Sequence, residues 1–208
     1  MRSFALGLTL SAALIAAGCA GKFDYTPPTD FGIAQNSKSV SKSKDQVWAE
    51  LIPAISQKFF VINNLDKSSG LINISYAGDP ITYVDCGHIT SVVKNARGER
   101  TYSFPAARQR QQYEVMNDRV GLAFVDRKVN LEGRLNVIVS EERATKSTVT
   151  VNTRYVVNVE GQFSNPQGQS RRDGYTISFN TGATGYGQTI SCRPTGNLEA
   201  ELLALVRE

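Results

Sequence analysis

Histidine is nearly missing from this chain of 208 residues, and His88 is the only one. A single imidazole supplies little to a metal site, and Cys86, His88 and the distant Cys192 lack zinc-finger spacing, so no metal ligand is assigned. Catalytic motifs are lacking too. There is no Gly-x-Ser-x-Gly elbow, no phosphate-cradling Gly-Lys-Ser/Thr loop and no His-Glu-x-x-His. Gly185-Tyr186-Gly187 is too short to hold a nucleotide. His88 stands near Asp85 and Ser91, but a triad needs spatial geometry, and a lone histidine beside a cysteine is more often structural. Glu141-Glu142 falls in a polar turn and reads as solvated. No catalytic residue is therefore assigned. Clustered basic charge is also absent. The formal net charge is +4, and the pairs Arg108/Arg110 and Arg171/Arg172 sit in polar, turn-like stretches. A nucleic-acid binder needs a basic stripe, so no nucleic-acid partner is expected. Finally, the longest apolar run, residues 4–17, falls short of the ~20 residues that span a bilayer.

That short run has another use. Arg2 precedes it, and small residues follow it up to Cys19, the pattern of a targeting segment rather than of a folded element. Ala16-Ala17-Gly18-Cys19 resembles a lipobox, the signature of bacterial lipoproteins, with Ala16 where Leu is commonest. The resemblance implies a signal peptide over residues 1–18, diacylglycerol on the Cys19 sulfur and an N-acyl group on the new amino terminus. Several acyl chains anchor stably, at about 0.8 kcal/mol per buried CH₂. Ala20 replaces the Asp that favours inner-membrane retention. The resemblance thus implies lipid anchoring at the periplasmic face of an outer membrane.

With Cys19 committed to lipid, Cys86 and Cys192 remain, an even pair in an oxidising compartment. A Cys86–Cys192 disulfide is expected; two buried free thiols are the alternative. Residues 19–42 read as a flexible tether, because Pro27, Pro28, Gly32, Asn36 and several Ser and Lys leave little apolar surface to bury.

Folding signals begin at Ser43-Lys44-Asp45-Gln46, a capping box. Val47, Trp48, Leu51, Ile52, Ile55 and Phe59 recur at helical spacing, so a helix is predicted over about 44–58, weakened at Pro53. Two strands around the Asp66–Gly70 turn make a hairpin. Residues 81–84 read as a short strand and 94–112 as a long polar loop, with Tyr102 and Phe104 as packing points. From Val129 to Val139, and again from Val149 to Val159, apolar and polar residues alternate strictly. Two long antiparallel strands with one wet face follow. Tyr175, Ile177 and Phe179 form a third. A C-terminal helix is signalled by Glu199 and Glu201 near its start and by the stripe Leu198, Leu202, Leu205, Val206.

Val47-Trp48, Val61-Ile62, Asp66 and Gly70-Leu71-Ile72, behind a lipobox and a tether and before a sheet closed by a helix, resemble a helix-grip lipoprotein domain. The family named by the likeness is BamC, the C subunit of the outer-membrane β-barrel assembly machine. The single domain and the Cys86/Cys192 pair depart from that family. The expected fold class is α+β: over residues 43–208, one antiparallel sheet with an N-terminal and a C-terminal helix on one face.

The functional expectation is a non-enzymatic interaction or scaffold component of the cell envelope. It is tethered to the membrane through Cys19, engages an envelope protein partner and needs no cofactor beyond its own lipid. Tyr76, Tyr83, Tyr102, Tyr113, Tyr155 and Tyr175 are candidates for a recognition surface, with core packing as the competing reading. A carrier of a hydrophobic ligand in a cavity between sheet and helix is the alternative, and an envelope hydrolase at Asp85, His88 and Ser91 comes third.

Overall fold

In this computed structural model, residues 20–29, 35–58, 60–117 and 121–208 are described. The expected signal peptide, Cys19, Gly32 and Phe59 lie outside the described residues. In chain order the first elements are β1 (Ala20–Thr26), β2 (Ser37–Val40), α1 (Lys44–Ser56), β3 (Val61–Asp66) and β4 (Leu71–Gly78). A 3₁₀ turn, Pro80–Thr82, leads to β5 (Val84–Asp85), β6 (His88–Asn95), β7 (Gly98–Pro105) and β8 (Arg110–Asn117). The chain continues through β9 (Gly121–Arg143), β10 (Lys146–Ser164), β11 (Ser170–Asn180), β12 (Gly185–Tyr186), β13 (Ser191–Pro194) and α2 (Asn197–Ala204).

Strict alternation makes the two longest strands. β9 and β10 have 23 and 19 residues, which at about 3.4 Å per residue gives lengths of roughly 65 Å or more. Among the described residues no other strand is that long, and along one edge each long strand carries two partners in succession. β9 pairs with β8 along 121–128 and with β4 along 131–138. β10 pairs with β2 along 147–150 and with β11 along 154–164. Valines and leucines at odd positions from Val129 to Val139, and from Val149 to Val159, are buried, while Asn130, Glu132, Arg134, Asn136, Asn152 and Arg154 face solvent. The described residues also form two smaller antiparallel sheets, β1–β6–β7 and β12–β13–β5.

The expected α+β, helix-grip class is overturned. Strand accounts for 61% and helix for 13% of the described residues, in three sheets with two helices. This is a β-rich fold, and the helix-grip architecture implied by the BamC likeness is corrected with it. The cause lies in stretches too polar to announce strands. Over 94–112 the expected loop is instead the β6–β7 hairpin and the start of β8. There a few inward residues, Val93, Phe104 and nearby Tyr113, are buried while Arg, Gln and Ser line the other side. Within 19–42 the expected tether contains β1 and β2. Their own composition offers little burial, but strands 60 or more residues away satisfy their backbone groups. The short strand expected at 81–84 is mostly the 3₁₀ turn, opened by Pro80 and capped by the Asp79 side chain on Ile81 N.

The helices start where their caps place them. Ser43 and Gln46 form both bonds of the capping box, and Val47, Leu51 and Ile55 are buried. Pro53 lies on the exposed side of α1, which ends at Ser56. α2 buries Leu198, Leu202 and Leu203 and touches β10.

Candidate ligand-binding cleft

The residues singled out by sequence separate in space. Cys86 and Cys192 lie at disulfide distance, 2.03 Å between sulfurs, consistent with the expected bond. They join β13 to the turn after β5. Beside them the Tyr25 hydroxyl accepts from Ser191 N at 2.8 Å and lies 3.1 Å from the Cys86 carbonyl, fastening β1 to the same corner. Asp85, His88 and Ser91 do not converge. Asp85 accepts from Gly87 N, His88 Nε2 bonds Ser103 Oγ at 2.8 Å, and buried Ser91 donates to the Glu114 carbonyl at 2.6 Å. Glu142 sits at the β9–β10 turn, bonded to Lys146 and Thr148. Arg110 pairs with Asp126, and Arg171 lies 5.7 Å over the Phe163 ring and 3.9 Å from Asp173. Among the described residues, no group of three or more His, Cys, Asp or Glu converges to hold a metal.

A cleft of about 190 Å³ opens instead between β1, β8, β9, β10 and β11. Phe23, Tyr113, Val125, Val159, Phe163 and Tyr175 make its walls mainly apolar. Register explains the opening. On the inward face of the main sheet, Val125 stands opposite Tyr113 and Phe163, and Val129 opposite Val159, which faces Tyr175. Between these two rows Arg127 stands opposite Gly161, which has no side chain to fill the space. Phe163 leans into that gap, so that a Cβ on Gly161 would fall 2.9 Å from Phe163 Cε2. Phe23 of β1 covers one side while remaining 49% exposed.

Arg127 dominates the chemistry of the cleft. It is only 5% exposed, and neither Nη1 nor Nη2 has a hydrogen-bond partner among the described residues. Burial pushes its pKa below the ordinary arginine value, while the phenols of Tyr113, Tyr175 and Tyr25 act the other way. The Tyr175 hydroxyl is engaged with Thr189 Oγ1 at 2.6 Å. Glu160 and Asp173 also line the cleft, but Asp173 is exposed and turned to Arg171 and to its neighbour Gly174 N. Polar groups buried in proteins are almost always paired, and an unpaired charge in an apolar setting costs several kcal/mol. A guanidinium presents a planar fork of donors that matches a carboxylate or phosphate. The arrangement is therefore a charged anchor at the base of an apolar recess.

Sequence reasoning passed over Arg127, although a signal for it exists. The alternation beginning at Val129 extends upstream through Arg127 to Val125, so a charged residue occupies an inward phase. Of the tyrosines considered for recognition, Tyr113 and Tyr175 line this cleft, whereas Tyr155 is a core residue.

Comparison with protein-family models, with curated proteins and with solved structures finds no match for this chain.

Proposed function

We propose that this chain is a non-enzymatic binding protein of the bacterial cell envelope. It is anchored through acyl groups on Cys19 at the periplasmic face of an outer membrane, and it takes an apolar ligand bearing one anionic group. The observation that carries the ligand reading is Arg127, whose two terminal nitrogens have no hydrogen-bond partner among the described residues and sit in an apolar cleft. An anionic group supplies the missing acceptors, and the aromatic walls take the apolar part. The recess is smaller than the ~300 Å³ of a typical drug-sized site. It suits a short-chain acid, or the end of a longer amphiphile whose remainder passes Phe23. The lipobox residues Ala16-Ala17-Gly18-Cys19 support the anchor.

Titration calorimetry with hexanoate and with its neutral counterpart 1-hexanol tests the ligand reading. Hexanoate is expected to bind at least ~10-fold more tightly, a difference of about 1.4 kcal/mol. Arg127→Met should erase that preference while leaving hexanol affinity unchanged. Equal affinity for the acid and the alcohol in the unaltered protein would rule the ligand reading out. Intact mass of protein from its native host tests the anchor separately, since an unacylated mature chain would remove it.

A second reading, docking of an envelope protein partner, is favoured by the edge of the main sheet. β3 closes that sheet and exposes Val61 (62%) and Leu65 (44%) beside backbone groups open to pairing. Crosslinking from positions 61 and 65 in cells is expected to capture one reproducible envelope protein under this reading.

A further inference from the structure

A second recess, about 270 Å³ in volume, lies between the residue before β3, the end of β4, Tyr83 and Glu201 of α2. Among the described residues, three aromatic side chains line it. The centroids of Phe60 and Tyr76 are 6.2 Å apart with their planes at 56°, and those of Tyr76 and Tyr83 are 4.9 Å apart at 74°. Tyr76 and Tyr83 meet edge to face, so their planes form a corner at the recess rather than one flat wall. A carboxylate completes the set. Glu201 of α2 accepts from the Tyr83 hydroxyl, with both carboxylate oxygens 3.1 Å away. Burial first, then the charge of Glu201, pushes the Tyr83 phenol up to about 12, so it remains a neutral donor. Burial also raises Tyr76. Ala77 and Lys58 also line it.

The face of an aromatic ring is electronegative and attracts a cation held within about 6 Å of its centre. Several such faces around an acidic group suit a cation whose charge is spread over methyl groups. Such a cation is cheap to desolvate and needs no hydrogen-bond acceptors. We propose that Phe60, Tyr76, Tyr83 and Glu201 form a binding site for a compact organic cation of the trimethylammonium class. The site is separate from the Arg127 cleft. Tyr76 pairs with Gly133, six residues beyond Arg127 on β9, a displacement of roughly 20 Å along the strand. It depends neither on that cleft nor on the lipid anchor. Lys58 bears the same sign of charge as the ligand and opposes it from the rim. Trimethylammonium reaches such a site either as a free solute or as a lipid headgroup.

The experiment uses the full chain in octyl glucoside, a detergent without an ammonium group. Tetramethylammonium and choline are titrated beside 3,3-dimethylbutan-1-ol, the uncharged shape-match of choline, and tyrosine ring resonances report binding. Saturable binding of both cations is expected, at least ~10-fold tighter than that of the alcohol. Glu201→Gln and Tyr83→Leu should each weaken it several-fold, while Tyr83→Phe, which keeps the ring, should retain more of the affinity than Tyr83→Leu. Lys58→Ser should strengthen it. Flotation with phosphatidylcholine vesicles, against phosphatidylglycerol vesicles as the control, identifies the source. Preferential flotation with the choline lipid supports the site with a headgroup as its occupant. Cation binding without such flotation supports it with a free solute. No saturable shift with tetramethylammonium, or equal affinity for the uncharged alcohol, overturns the proposal. So does unchanged affinity in a folded Tyr83→Leu protein.

Discussion

The Tyr155 hydroxyl donates to Glu199 Oε2 at 2.7 Å in the interior of the protein, where both residues are 0% exposed. Tyr155 lies in the middle of β10 and Glu199 in the first turn of α2, so this bond ties the last helix to the longest hairpin. Thr181, just after β11, donates to the other carboxylate oxygen at 2.8 Å. Burial and the neighbouring Glu199 raise the phenol far above its ordinary pKa, which keeps the donor in place.

Removing that hydroxyl leaves a buried acceptor short of a partner. Tyr155 stacks on Phe179 with centroids 5.3 Å apart and planes at 9°, so Tyr155→Phe preserves the ring contact and isolates the hydrogen bond. The expected loss of stability is about 1.5–3 kcal/mol, the range for bonds to charged groups. Urea unfolding measures it, and a change below about 0.5 kcal/mol would show that the Thr181 bond suffices.

The Cys86–Cys192 bond closes a loop with a sequence separation of 106. The chain-entropy model assigns such a loop roughly 4–5 kcal/mol. The double substitution to Ser is expected to lower the urea midpoint by a corresponding amount. The single substitutions should match the double one, because either alone removes the bond. Insensitivity of the unaltered protein to a thiol reductant under unfolding conditions would contradict this.

Arg127 should cost the fold stability rather than add to it. A buried guanidinium whose two terminal nitrogens have no hydrogen-bond partner among the described residues loses hydration and regains little of it. Arg127→Met keeps the apolar stem, and is expected to raise unfolding free energy by about 1 kcal/mol or more while abolishing the preference for an acid. A marked fall in stability would mean that the side chain serves the fold, not a ligand.

Two exposed acids set part of the acid limb. The Lys146 ammonium, then the Thr148 hydroxyl, hold the Glu142 carboxyl at about 2, below the ordinary 4.5. The hydroxyls of Ser68 and Ser69 hold Asp66 at about 2, below 3.8. Both values are depressed on folding, so the stability they contribute is present in full above the ordinary carboxylate range. It is lost as pH falls toward 2. Glu142→Gln and Asp66→Asn should each flatten the decline of the urea midpoint across that window and leave its pH dependence near neutrality unchanged.

Much of the local structure was legible beforehand. Ser43 and Gln46 announce the start of α1, and the valines from 129 to 159 announce β9 and β10, because helix caps and strand alternation depend only on neighbouring residues. The β6–β7 hairpin and β8 were not legible. Arg100, Gln111 and Gln112 are ordinary loop residues until Glu114 and the edge of β9 stand beside them. Tyr25 likewise looked like part of a tether, yet its hydroxyl is held by Ser191, 166 residues away.

By itself the sequence determined the period of β9 and β10, the cap of α1 and the phase that puts Arg127 on an inward face. Only the tertiary structure decided that Gly161 stands opposite Arg127 and leaves room beside it, and that Glu201 meets the Tyr83 hydroxyl at the recess that Tyr76 also lines. The reason is physical. Alternation is written within a few consecutive residues, whereas a cleft depends on the register between strands distant in the chain. That register is selected by the burial and backbone pairing gained when distant strands meet.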